Sequence, residues 1–204
     1  MKLENIRKLV AKEAARLLYY RLATEYKFAK LKAAKELGVN VLPSNREVAD
    51  ELDALADLLE GNLRVKRLIE MRYDALKIME CLSEFKPKLI GSVWRGTARI
   101  GSDIDIIAYA NSPVEVIKKL KKCNFKIVHI EEKGKVFEDG LKRIFTHIYL
   151  QLPSGNKAEI VVRRPGDNFI EICDIYGDII KGLAIEELKE VLKNDPAKKF
   201  IPQR

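Results

Sequence analysis

Histidine is scarce in this 204-residue chain, which has only His129 and His147. Two histidines far apart in sequence support neither a histidine metal site nor a nucleophile–histidine triad. Cysteine is nearly as scarce. Cys81, Cys123 and Cys173 are odd in number and lack metal-ligand spacing, so the expectation is reduced core residues in a cytosol. No apolar run reaches the roughly 18 residues that suggest a membrane span, and the first residues carry no secretory pattern. The expectation is therefore a soluble, cytoplasmic protein with no membrane partner. Walker A and G-x-G-x-x-G patterns are both missing, which removes the two commonest glycine-rich phosphate cradles. There is no internal repeat and no low-complexity segment.

Positive charge, by contrast, is plentiful. The net charge is +8 and the pI about 9.3, a balance that favours an anionic partner such as nucleic acid or nucleotide phosphates. Charged residues make up 33% of the chain, which leans toward a thermophile. Residues 1–40 hold ten Lys/Arg against four Asp/Glu, whereas residues 41–60 hold one against six. The first helix is thus a candidate nucleic-acid face near Arg16, Arg21, Lys27 and Lys30, with a solvated basic helix beside an acidic one as the alternative.

Periodicity divides the chain into a helical region, 1–86, and a core with C-terminal helices, 87–204. Apolar residues recur near a 3.6 period from Leu3 to Leu37, as one rod or two pieces. A capping box at Ser44 and Glu47 opens a second helix ending near Gly61, and a third spans about Leu63 to Phe85. Beyond Pro87 the pattern predicts strands at Leu89–Ile90, Asp103–Tyr109, Phe125–Ile130, Ile144–Leu152 and Lys157–Val162. Helices are predicted over 93–98, 113–123, 168–180 and 184–193. The tail from Asn194 reads as polar and loose. The fold class expected is α/β (α+β): a small mixed sheet with flanking helices, preceded by the helical region.

The most informative stretch is GSVWRGTARIGSDIDI, from Gly91 to Ile106. On a strand Asp103 and Asp105 share one face, while Ile104, Ile106 and Ala108 take the other. Two carboxylates so placed repel each other unless a cation lies between them, and a hard ion such as Mg²⁺ suits carboxylate oxygens and substrate phosphates. Gly91 permits close backbone approach, Ser92 adds a hydroxyl, and Arg95 and Arg99 supply charge for a triphosphate. A phosphate-holding loop beside a metal-holding strand meets the needs of nucleotidyl transfer. Arg163 and Arg164 are weaker phosphate candidates. Trp94 reads more as packing than as a base-stacking surface, and Lys118, Lys119, Lys121 and Lys122 more as a solvated helix end.

The stretch resembles the signature of the DNA-polymerase-β-like nucleotidyltransferase superfamily: Gly-Ser, ten residues, then Asp-x-Asp. Arg95-Gly96 and Ser102 match further features of it. The likeness extends over about residues 87–165, and the N-terminal helices are similar, less closely, to archaeal predicted nucleotidyltransferases. It implies a nucleoside triphosphate substrate, Mg²⁺ or Mn²⁺ as cofactor, and a third carboxylate on a later strand. Glu159 is the candidate, where the superfamily more often has Asp. The implied site is Asp103, Asp105 and Glu159 as catalytic and metal-holding groups, with Gly91, Ser92, Arg95 and Ser102 on the nucleotide. The acceptor is open: a hydroxyl on RNA or tRNA, a protein partner modified with AMP by an antitoxin-type enzyme, or a small molecule. A fold that binds nucleotide or RNA without catalysis is the non-enzyme alternative.

Overall fold

The computed structural model describes residues 3–136, 140–167 and 170–203. It divides into two compact units. The first comprises residues up to Arg64 together with Ile172–Asp178. Here the single periodic run of the N-terminus is two helices, α1 (Leu3–Tyr19) and α2 (Tyr26–Glu36), broken by a turn in which Arg21 takes a positive φ of 58°. The helix α3 (Asn45–Glu60) begins at the expected capping box: Ser44 accepts the Glu47 amide and Glu47 accepts the Ser44 amide. Val10, Ala14, Leu17, Ala29, Ala33 and Leu52 fill the core of this unit. The small residues on α1 and α2 let the helices approach closely.

The second unit begins at Val65, in the first turn of α4 (Asn62–Cys81). The reason is the apolar face of α4. Leu68, Met71, Ala75, Ile78, Met79 and Leu82 join one core with Val93, Ile104, Ile106 and Ile160. A five-stranded mixed sheet carries that core, built from β1 (Lys88–Ile90), β2 (Ile104–Tyr109), β3 (Lys126–Val136), β4 (Lys142–Gln151) and β5 (Lys157–Arg163). The order is β1-β2-β5-β4-β3, with β2 and β5 parallel and every other neighbouring pair antiparallel. Between them lie the short α5 (Gly91–Arg95) and α6 (Pro113–Lys122), and α7 (Ile185–Asn194) follows the sheet. A bridge from Leu89 to Leu183 covers part of the β1 edge. The architecture is α+β, a mixed sheet with flanking helices. Among the described residues no helix is long and apolar enough to cross a membrane.

Four expectations change. The helix predicted over 168–180 is not formed from Ile170 onward; residues 168 and 169 lie outside the described residues. Cys173 instead accepts the Gly177 amide and donates its own to Asp178, around Gly177 at φ 71°. Strand β3 runs on to Val136, well past Ile130, because its pairing with β4 continues as far as Val136 and Lys142. Cys81 and Cys123 are not reduced core residues. They form a disulfide joining the ends of α4 and α6 with a Cα–Cα distance of 6.4 Å, while Cys173 is free.

The fourth change concerns the tail, which is not loose. Arg72, fully buried on α4, donates to the carbonyls of Val93 and Trp94 at 3.1 and 3.0 Å and of Pro196 and Lys198 at 2.8 and 2.7 Å. Burial lowers its pKa to about 10. One guanidinium thus ties the last turn of α5 to the segment 196–198. Phe200 then exchanges hydrogen bonds with Arg95, its amide donating to the Arg95 carbonyl and its carbonyl accepting from Nη1, both at 2.9 Å.

Candidate active site

The sheet brings two of the expected residues, Asp105 and Glu159, together. Ile90 at the end of β1 is the register partner of Asp105 on β2, and Asp105 is the register partner of Glu159 on β5. Register partners point to the same face, so Asp105 and Glu159 lie side by side. Ile104, Ile106 and Ala108 are buried on the opposite face, the alternation that the apolar-acidic spacing predicts. Asp103 precedes β2 and is exposed, whereas Asp105 is partly buried.

Gly91 opens α5 with φ 69°, in the left-handed region. A Cβ there would collide with the Asp105 carboxylate. Glycine is therefore required by the metal-site candidate itself, a tighter coupling between loop and strand than approach of a ligand alone.

The electrostatics are strained in the direction that a cation relieves. Burial raises the Asp105 carboxyl to about 7, and the negative charges of Glu159 and Asp103 push the same way. Among the described residues no three His, Cys, Asp or Glu side chains stand in a ready-made metal cluster. The donor set nevertheless fits a hard divalent cation: carboxylate oxygens on adjacent strands, one of them held unfavourably ionised until positive charge arrives.

Glu159 is held by residues that its own strand does not reveal. His147 Nδ1 lies 2.6 Å and the Tyr149 hydroxyl 2.8 Å from Glu159 Oε1. Tyr149 is the β4 register partner of Glu159, and His147 lies two residues along the same face. Lys133 Nζ on β3 donates to the Tyr149 oxygen at 2.5 Å and pairs with Glu131 at 3.0 Å. These bonds hold the lysine well above its ordinary pKa, the Tyr149 contact contributing most. Burial first of all raises the Tyr149 phenol to about 12. Sequence reading left His147 aside because histidine counts say nothing about a single histidine bonded to a carboxylate. The alternation His147-x-Tyr149 in a strand pattern was the available signal.

Other candidates fall elsewhere. Arg95 is buried, lies over the Trp94 ring at 4.1 Å and donates to Phe200, so its charge is directed into the fold. Ser102 closes the turn before Asp103: its hydroxyl accepts the Arg99 amide at 3.0 Å and its amide donates back to the Arg99 carbonyl. Arg163 pairs with Glu171 at 2.6 Å and lies over Phe145. Trp94 is buried in the core. Ser92 follows Gly91 in α5 and is half-buried.

Residues 65–165 match the family described as the nucleotidyltransferase domain. Over those 101 of 204 residues the chain carries a nucleotidyltransferase domain. The matched segment begins where the second compact unit begins, so α4 is an integral part of the nucleotidyltransferase domain. No curated protein matches the chain. Among solved structures, a cytoplasmic RNA terminal U-transferase is similar at 19% identity and a TM-score of 0.35, over 48% of this chain and 29% of that one. Cid1 in complex with the UTP analogue UMPNPP is similar at 17% identity and a TM-score of 0.33, over 48% and 31%. The Cid1 poly(U) polymerase is similar at 17% identity and a TM-score of 0.33, over 47% and 30%. The chain thus spans less than a third of the length of each of these proteins.

Proposed function

We propose that this nucleotidyltransferase domain transfers a nucleoside monophosphate from a nucleoside triphosphate to an acceptor hydroxyl, with Mg²⁺ or Mn²⁺. The observation that carries the reading is the register row Ile90–Asp105–Glu159, with Gly91 backed directly against the Asp105 carboxylate. Asp103 and Asp105 would hold the cation, which would supply charge neutralisation to the phosphates, with Glu159 beside them to take the acceptor's proton. Gly91 and Ser92, at the turn beside Asp105, are placed to bind the triphosphate. Arg95 and Ser102 act at one remove: Arg95 fixes α5 to Phe200, and Ser102 fixes the turn that delivers Asp103.

RNA is the acceptor we favour, supported by the net charge of +8 and the basic α1 and α2. Incubation with labelled ATP, CTP or UTP and a short oligoribonucleotide should extend or cap the oligonucleotide. Asp105→Asn should abolish transfer. Each phosphate neutralised by Lys or Arg releases counterions, so with four or so contacts log affinity for single-stranded RNA should fall with log salt at a slope of roughly −3. RNA affinity weaker than about 10⁻⁴ M at physiological salt would exclude the RNA acceptor and direct the search to a protein or small-molecule hydroxyl.

A further inference from the structure

We propose that His147 and Tyr149 are positioning residues that fix the Glu159 carboxylate through one oxygen and leave the other to receive the acceptor's proton. This role rests on the nucleotidyl-transfer reading above. Both side chains bond to the same atom, Oε1, at 2.6 and 2.8 Å. The Tyr149 hydroxyl accepts from Lys133 and donates to Oε1. An ionised carboxylate oxygen offers only lone pairs, so His147 also donates, with its proton on Nδ1. Neutral imidazole is sufficient for this bond. Oε2 has no hydrogen-bond partner among the described residues.

Two short bonds on one oxygen remove the rotational freedom of a carboxylate that would otherwise sample several rotamers. Glu is longer by one methylene than the Asp usual at this place, so it has more freedom to lose. Strands β4 and β5 supply that restraint, since Tyr149 stands opposite Glu159 and His147 lies two residues along the same face. In the transfer step the acceptor oxygen forms its bond to the α-phosphorus. The bond from that phosphorus to the bridging oxygen of pyrophosphate breaks, and the acceptor's proton passes to Glu159 Oε2. Holding Oε1 keeps Oε2 at a constant place for that proton, an effect on turnover rather than on triphosphate binding.

The test uses the full chain with His147→Leu, His147→Asn and Tyr149→Phe, each first shown to be folded by circular dichroism. Transfer from labelled ATP and UTP to a short oligoribonucleotide is measured as kcat and KM. His147→Leu should lower kcat roughly ten- to hundredfold, the effect of one hydrogen bond to a charged group, with the KM for triphosphate changed by less than about twofold. The Asn amide matches the position of Nδ1–H, so His147→Asn should recover most of the rate. Tyr149→Phe should lower kcat in the same manner. Wild-type kcat in His147→Leu would refute the positioning role alone, as would an equal loss in His147→Leu and His147→Asn. A wild-type protein that binds triphosphate with Mn²⁺ yet transfers nothing to RNA, or to the proteins and small molecules of a cell extract, would refute the nucleotidyl-transfer reading, and the positioning role with it.

Discussion

Replacing Asp105 by Asn should make the metal-free protein more stable at pH 8, an unusual outcome for a change at a buried functional residue. In the native state the Asp105 carboxyl is raised from 3.8 to about 7, mainly by burial and further by Glu159 and Asp103. The native state thus binds this proton more tightly than the unfolded chain does. Stability from this group is fully present below about pH 4 and is lost as pH rises through about 7. At about 1.4 kcal/mol per pH unit, the full loss is roughly 4 kcal/mol. Relaxation of the partly exposed neighbours reduces this to on the order of 2–4 kcal/mol. Asn carries no charge at any pH and removes the penalty. The midpoint of the second unit should therefore rise by roughly 5–15 °C at pH 8 in Asp105→Asn, at about 2–4 °C per kcal/mol, with little change near pH 4. Millimolar Mn²⁺ should raise the wild-type midpoint at pH 8, and less at pH 6 where the proton competes. It should leave the variant unmoved. Thermal melts at four pH values, with and without metal, decide the matter. Parallel wild-type and variant profiles across pH would refute the reasoning.

Gly91→Ala forces a left-handed φ on alanine and drives its Cβ into the Asp105 carboxylate. It should cost roughly 1–3 kcal/mol and abolish the metal-dependent gain in triphosphate affinity measured by calorimetry. Arg72→Ala strips four carbonyls, two of them buried, of a donor. The expected loss is on the order of 3–5 kcal/mol in urea unfolding, along with faster proteolysis beyond Asn194. The disulfide closes a sequence separation of 42 residues, so Cys81→Ser with Cys123→Ser should lower stability by roughly 4 kcal/mol on the chain-entropy account, and reduction of the wild type should produce the same shift.

The parts of the site that lie close in sequence were readable there. Gly91 to Asp105 is one contiguous stretch, and its alternation of acid and isoleucine fixes which side chains meet the core. Glu159 stood out as a charge at the head of an apolar strand, and the superfamily pattern pointed to it. His147 and Tyr149 did not stand out, because only the pairing of β4 with β5 brings them to Glu159. Arg72 was invisible for another reason. Its acceptors are main-chain carbonyls more than a hundred residues away, and a carbonyl has no residue type to read. Arg95 shows the same limit, since its position within the signature said nothing of the Phe200 carbonyl that accepts its hydrogen bond. The Ile170–Ile180 segment has apolar spacing compatible with a helix. Tight hydrogen bonds around Gly177 compete with that pattern locally and win.

The seating of residues 196–200 on Arg72 and Arg95 also bears on how the protein matures on the ribosome. Domains begin to fold from the N-terminal side during synthesis, and the strands carrying Asp105 and Glu159 are complete once Arg163 has emerged. The turn that carries Gly91 is different. Its α5 carbonyls find their final partners only with Arg72 fully bonded, and two of the four carbonyls that surround Arg72 belong to Pro196 and Lys198. A nascent chain stalled before residue 196 would hold a formed sheet with an uncommitted guanidinium beneath its Gly-Ser turn. Nucleotide binding should thus switch on late, only once residues 196–200 have left the ribosome, rather than grow with chain length.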